Sequence, residues 1–436
     1  MDKGTRKPAK IYIRFLAFFG VHKRHPKTSG KTTAVNGFVR KKKIGFYPGQ
    51  SYLGIFYEGR RVLIRSSQSL PGRQTAGYHL LELTAISGEF PVNQLTRLPG
   101  GDFYKANVVK VLKQKHLLRT CYRDGLRGYR LTIRAKELLT ADQPDRFLPC
   151  LTGATETNHI RSEPFRRMRL HRISETLITM QNAGVAVYRD EKPDIFSPVW
   201  KEGVRLFIEY PAFYHSREVK ELGTVFVKIK GARSVGVLLT QSNVFVVYNL
   251  GDTLMKWQYR AEMRTKTLMQ TVLCRERLPD QYKPEDVRGL LLGDSMKLAN
   301  DILSSEGGKQ YFLLDGSYEH FYYLTNDHRG EKILRLLCNA EMSEKLDAIL
   351  LADLEDRDER LPLENDAVDS GGNPVLLSYV CDLPRIKRFD TALQLQNRTG
   401  TVICFDFQAD TLCRSCGERV QFQTIDFEKW ERRFFP

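Results

Sequence analysis

Residues Tyr78–Asp142 read YHLLELTAISGEFPVNQLTRLPGGDFYKANVVKVLKQKHLLRTCYRDGLRGYRLTIRAKELLTAD. Leu80, Leu81, Leu83 and Ile86 recur at near-helical spacing, and Gly88 stops the run. Pro91 suits a first helical position, and Val92, Leu95 and Leu98 give the next apolar stripe. Pro99-Gly100-Gly101 breaks the chain, and Asp102 is the expected N-cap of a third helix. That helix is expected to bury Val108, Val111, Leu112 and Leu117, leaving Lys105, Asn107, Lys110, Lys113 and Gln114 on the other face.

Leu118–Tyr122 and Gly128–Thr132 then read as two strands around Asp124-Gly125, a strong hairpin signal because both turn positions need positive φ. Arg123, Arg127 and Arg130 stud the hairpin, and Thr132 caps a helix through Leu138 and Leu139. Three helices, a tight hairpin and a fourth helix are the order of a winged helix-turn-helix. Such a unit lays its third helix in a DNA major groove and rests the hairpin on the backbone. The DNA-binding set expected on this basis is Lys105, Asn107, Lys110, Lys113, Arg123, Arg127 and Arg130. The competing reading is a small helical domain that binds protein.

The 436 residues suffice for several cores, and 42% hydrophobic content is that of a globular chain. The formal charge of +17 is concentrated at one end: residues 1–75 hold 17 Lys and Arg against Asp2 and Glu58, a net of +15. That asymmetry suits a polyanion-binding arm with strongly salt-dependent affinity. Eight scattered cysteines, several inside apolar runs, read as reduced core residues of a cytoplasmic protein. Ile11–Val21 is interrupted by Arg14 and lacks a cleavage site, and no uncharged run approaches the ~20 residues of a membrane span.

The expected fold class is α+β and multidomain. Residues 1–75 are a basic arm with short strands in 44–66, and 76–142 form the winged helix-turn-helix. Residues 143–192 are a connector and a helix (Phe165–Ala183, ended by Gly184), and 193–351 a restriction-endonuclease-like α/β domain. Its strands are expected at 185–188, 206–210, 224–228, 234–239, 244–249, 311–314 and 321–324, its helices at 256–273, 296–304 and 333–351. Residues 352–436 are an acidic linker and a C-terminal region of short strands and loops. Glu341–Ser370 carries a net charge of −8, which suggests a segment that folds back on the +15 arm. No internal repeat is visible.

Metal-dependent nucleases of the restriction type place an Asp after one strand and a Glu on the next, with a Lys two residues beyond. The carboxylates hold a divalent ion that activates water. Asp194 and Glu209 are the candidate catalytic pair, with Mg²⁺ the ion implied. Position 211 is Pro, and Lys220 is too distant along the chain to complete the set, so the expectation is a nuclease-like shape without cleavage. Cys413 and Cys416 form a CxxC that needs two more ligands to hold Zn²⁺; Cys404 and Cys381 are the candidates. No metal or cofactor is assigned on these patterns alone. No GxxxxGK[ST] is present, nor a histidine cluster, and nothing singles out a nucleophile among the 19 tyrosines.

Over residues 78–240 the chain resembles the replication-relaxation family of plasmids and integrative conjugative elements. The likeness rests on YRLTIRAKELL (Tyr129–Leu139), RLHRISETL (Arg169–Leu177) and PDIF…LFIEY (Pro193–Tyr210). It implies a DNA-binding accessory of mobile-element replication or transfer, whose partners are double-stranded DNA and other replication or transfer proteins. In that comparison Asp194 and Glu209 match the nuclease-like positions, while Pro211 departs from the pattern. The alternatives are a metal-dependent nickase and a winged-helix transcription regulator.

Overall fold

The computed structural model describes residues 69–153, 157, 163–200, 206–225, 232–305, 312, 314, 316–357 and 363–436. All fall within one compact unit, Leu63–Pro436. The expected basic arm up to residue 68, and the strands within 44–66, lie outside the described residues, as do most of the strands expected at 224–228 and 311–314.

Helix α1 (Ala76–Ser87) is capped by the Thr75 hydroxyl and closed by Gly88 in the left-handed conformation. Strand β1 (Phe90–Pro91) leads into a 3₁₀ turn, Val92–Arg97, where the apolar stripe had suggested an α-helix. Then come α2 (Asp102–Gln114), the hairpin β2 (Leu118–Arg123) and β3 (Leu126–Leu131), and α3 (Ile133–Asp142), whose Thr132 hydroxyl accepts from the Ala135 amide. Asp124 and Gly125 have φ of 51° and 77°, the paired positive values that a two-residue hairpin turn requires. The three strands pair antiparallel in the order β1-β3-β2. The connector after residue 143 contains α4 (Pro144–Leu151), with Pro144 pre-set for its first turn.

Helix α5 (Pro164–Asn182) packs against α1, β1 and β3 on one side and against the next sheet on the other. That sheet comprises β4 (Ala212–His215), then, after a single helical turn α6 (Ser216–Val219), β5 (Gly236–Leu239) and β6 (Val244–Gly251). The crossover helix α7 (Tyr259–Thr271) leads to β7 (Val287–Gly293), and α8 (Met296–Leu303) leads to β8 (Phe321–Thr325). β4, β5 and β6 run antiparallel, while β7 and β8 continue parallel to β6. Both faces are covered, so alternate residues such as Phe245 and Val247, or Val244 and Val246, enter two different cores.

Two expected strands do not form. Leu206–Tyr210 is irregular: Pro211 biases its predecessor, Glu209 and Tyr210 face solvent, and the Ile208 amide donates to the Gln281 side chain instead of a neighbouring strand. Of Val185–Tyr188 only Ala186 bridges to the sheet, at Ala212. The helix expected over 333–351 is two helices, α9 (His328–Leu337) and α10 (Ala340–Leu351), with Asn339 capping the second.

The C-terminal region is not a set of loops. It holds β9 (Glu355–Asp356), β10 (Ala367–Val368), β11 (Pro374–Leu377), α11 (Leu383–Gln396), β12 (Gly400–Phe405), α12 (Asp406–Cys413), β13 (Val420–Ile425) and α13 (Phe427–Phe434). The strand order is sequential, the first three antiparallel and the last two parallel. This is the connectivity of the first sheet repeated. In each, a leading helix (α5 or α10) precedes three antiparallel strands, followed by helix–strand, helix–strand and a closing helix (α9 or α13). The equivalent helices α8 and α12 pack on one another, and the Ser415 hydroxyl donates to Asn300 Oδ1 between them. The chain thus contains an internal repeat of topology that the residue pattern conceals, because GVLL–VFVVYNLG and AV–PVLL share only polarity.

The segment after β11 ties the two sheets together. The Tyr323 amide donates to the Cys381 carbonyl, and buried Asp382 accepts from the Phe321 amide and pairs with His320 Nδ1 at 2.6 Å. Asp382→Ala removes both acceptor oxygens from a buried site and should lower stability by about 1–3 kcal/mol in urea unfolding. An unchanged midpoint would show that this contact does not couple the sheets.

Candidate nucleic-acid interface

Helix α2 begins at Asp102, with Gly101 at the cap, and its inward face is Lys105, Val109 and Leu112. The spacing i, i+4, i+7 therefore selects a register one step from that expected: Val108 is half-buried and Val111 is 38% exposed. Lys105 is the consequence. Its stem fills a core position, and its Nζ donates to the carbonyls of Thr96 and Leu98 and pairs with Asp102 at 3.0 Å. Lys105 is structural and unavailable to a ligand. The outward strip is Phe103, Asn107, Lys110 and Gln114, all exposed. Half-buried Lys113 leans toward the hairpin, its Nζ 5.1 Å from the centre of the Tyr129 ring.

Side-chain alternation gives the hairpin two faces. Thr120, Tyr122, Arg127 and Tyr129 share the face toward α2, Tyr122 lying opposite Arg127 in register. Tyr122 is 72% exposed, and Arg119, Arg123 and Arg127 are also exposed. The other face carries Cys121, Gly128 and Arg130, and it closes over a buried ion cluster. Arg130, expected to grip phosphate, is 4% exposed and pairs with Glu89 at 2.6 Å; it too is structural.

Glu89 has no exposed surface. It accepts from Arg130 Nε at 2.8 Å and from Arg167 at 2.5 Å, and it contacts His171 Nε2 at 3.0 Å. Burial pushes the carboxyl up, but the hydrogen bonds from His171, Arg167 and Arg130 together outweigh it and hold the group at about 2. Arg167 spends its remaining donors on the hairpin, reaching the carbonyls of Cys121, Arg123 and Leu126 at 3.1 Å each. The hairpin end is thereby pinned to α5. Gly128 permits this approach, since a Cβ there would lie 2.3 Å from Glu89 Oε1. Neither Glu89 nor Arg167 was singled out in the sequence; a lone Glu at a helix end carries no signal of its future partners.

A second polar cluster, also unforeseen, lies where β6, β7 and β8 end. Asn249, Asp294 and Asn326 meet Glu175 and Thr179 of α5 there, and Arg97 reaches in to donate to Thr179 and Glu331. Burial first, then Asp294, raises Glu175 to about 7.

The proposed catalytic pair has separate partners. Asp194 lies on a loop, paired with Arg189 at 3.1 Å, and Glu209 is exposed, contributing its backbone carbonyl to Gln241. β6, the middle strand of the sheet, and its neighbour β5 carry no Asp, Glu or Lys. Cys381 and Cys404 are buried and Cys416 half-buried in the core, while Cys413 is exposed. Burial pushes the thiols of Cys404 and Cys416 up to about 12, whereas zinc binds thiolates. Among the described residues no group of three His, Cys, Asp or Glu side chains is placed to hold a metal ion, and no helix is long and apolar enough to cross a membrane. Comparisons with protein-family models, curated proteins and solved structures find no match.

Two stability predictions follow from the carboxylates. Glu89 is held below its unfolded value, so its contribution is present above about pH 4.5 and is lost as pH falls toward 2. Glu89→Gln should cost about 3–5 kcal/mol at pH 7 and shrink the acid-induced loss of stability over that window, read by urea unfolding. Glu175 is the opposite case. Its folded value is raised, so ionising it destabilises the fold as pH rises from about 4.5 through 7. Glu175→Gln should stabilise the protein at pH 8 by on the order of 1–2 kcal/mol and have little effect at pH 5; equal effects at both would refute the shift.

Proposed function

We propose that this chain is a sequence-specific DNA-binding accessory protein of mobile-element replication or transfer, acting without cleavage. Ala76–Asp142 is read as a winged helix-turn-helix, with α2 as recognition helix and β2–β3 as wing. α5 with β4–β8 is read as a restriction-endonuclease-like α/β fold, by the connectivity of three antiparallel strands, a helix and parallel strands. The resemblance to the replication-relaxation family supports the biological setting, including a cytoplasmic location.

One observation carries the reading. The hairpin is fixed in place by a buried guanidinium and presents Tyr122 and Arg127 on the face toward the exposed strip Asn107, Lys110 and Gln114 of α2, with Arg123 exposed at its tip. A helix wide enough for the major groove beside a rigid cationic hairpin suits duplex DNA, polar side chains reaching base edges and arginines reaching phosphates. The DNA-contacting set is therefore Asn107, Lys110, Lys113, Arg123 and Arg127, with Gln114 added and Lys105 and Arg130 removed. For the nuclease-like fold, the loop position of Asp194 and the lack of carboxylates on β5 and β6 support a non-catalytic role.

Lys110→Ala with Arg127→Ala should weaken duplex binding at least tenfold in fluorescence anisotropy and reduce the slope of log K against log salt by about 2. Lys105→Ala should act through stability instead, leaving the salt slope of the folded fraction unchanged. Recovery of bound DNA from cells should enrich an origin or transfer region; enrichment of promoters alone would favour a transcription regulator. Nicking of supercoiled plasmid with Mg²⁺ that is lost in Asp194→Ala would overturn the non-catalytic assignment.

A further inference from the structure

A cavity of about 60 Å³ lies between the N-terminal helices and the first mixed sheet. One side is built from α1 and α4, through Ile86 and Cys150, and the other from the end of β4 and the turn α6. Its apolar wall includes Leu177 and Val187, and His215 supplies the feature that packing does not explain.

His215 is 9% exposed and lines this cavity. Its Nδ1 accepts from the Arg217 amide at 3.0 Å, which places the ring proton on Nε2. Nε2 is buried and has no hydrogen-bond partner among the described residues. Burial foremost, then the charges of Arg217, Arg169, Lys192 and Lys220, keep the ring neutral at pH 7, with Nε2–H a donor. A buried donor without an acceptor is costly, and native structures rarely leave one so.

The other polar groups around the cavity do not meet that need. Glu218 accepts from Lys192 Nζ and from the His215 amide, each at 3.0 Å, and Glu221 accepts from Arg189 at 2.9 Å. Arg146, Arg189 and Arg217 line the same space; Arg146 is paired with Glu82, Asp190 and Glu191 and Arg189 with Glu221 and Asp194, and Arg217 adds a further cation. Among the described residues, what the site lacks is an acceptor for Nε2–H. A cavity of this volume has room for a few waters or for one tetrahedral ion.

We propose that this cavity is a binding site for a free small oxyanion of phosphate or sulfate size, with His215 Nε2–H as its central donor and Arg217 as its countercharge. The ion would fasten α1 and α4 to the β4–α6 corner, since both sides supply the lining. The inference stands apart from the DNA reading and uses none of its residues.

The test is thermal unfolding and isothermal titration of the full chain at pH 7.5, with sodium phosphate against sodium chloride at matched ionic strength. Phosphate at 20 mM should raise Tm by about 2 °C or more over chloride, with one site per chain. His215→Phe keeps the ring volume and removes the donor, and should abolish the phosphate-specific rise. Because that variant also loses the acceptor for the Arg217 amide, Arg217→Gln is the second arm, and it should weaken phosphate at least fivefold. Its duplex DNA affinity should equal that of the wild type, which separates this site from the proposed DNA interface. No phosphate-specific shift in the wild type, or an undiminished shift in Arg217→Gln, overturns the proposal. A 5′-phosphorylated oligonucleotide that competes with phosphate would overturn the free-ion assignment, since a nucleic-acid terminus would then be able to fill the site.

Discussion

A carboxylate with no solvent contact is costly to ionise, and Glu89 remains ionised because three donors converge on it: Arg130 from the hairpin, and Arg167 and His171 from α5. The cluster is also where three separate pieces of chain become one structure. The residue just before β1 is Glu89, β3 brings Arg130, and a helix some 78 residues further on brings Arg167. Arg167 then ties three hairpin carbonyls to the same point. A hairpin at the edge of a small sheet would otherwise be held only by its own ladder. Here its position relative to α2 is imposed from beneath, which makes a composite surface of helix and hairpin a defined shape.

Helix α5 extends that constraint through the molecule. Its first half holds the ion cluster, its apolar side packs on both α1 and β6, and its last turns meet Asn249, Asn326 and Arg97 at the C-terminal ends of the parallel strands. A movement of the first sheet would therefore be felt at the hairpin through a single rigid element. The phosphate-sized cavity adjoins the same helix at Leu177. Charge on Glu175, repelled by Asp294, works against this junction as pH rises, so the contact between the N-terminal segment and the sheet is not optimised for stability alone.

The repeated connectivity of the two mixed sheets places the C-terminal half in a new light. What reads in sequence as an acidic linker and scattered strands is a second copy of the same layer plan, joined to the first by α8 against α12 and by Asp382. Several of its acidic groups have intramolecular partners: Asp347 accepts from Tyr379, and Asp366 pairs with Arg385.

Local pattern alone determined the helices with clean stops (α1, α5, α8), the Asp124-Gly125 hairpin and the apolar strands β5, β6 and β8, because each is fixed by short-range backbone rules. Four of the seven expected DNA-contacting side chains keep exposed or outward positions at α2 and the hairpin tip (Asn107, Lys110, Arg123 and Arg127), and Lys113 lies half-buried between the two elements. Tertiary structure decided the rest. Lys105 and Arg130 look like surface cations in a linear pattern, yet carbonyls and a carboxylate from distant segments take them inward. The repeat was hidden because topology depends on which strands pair across crossovers, and the strand residues record only that they are buried. Sequence thus set where the elements begin and end, whereas burial against remote partners set which of their charges are left to act.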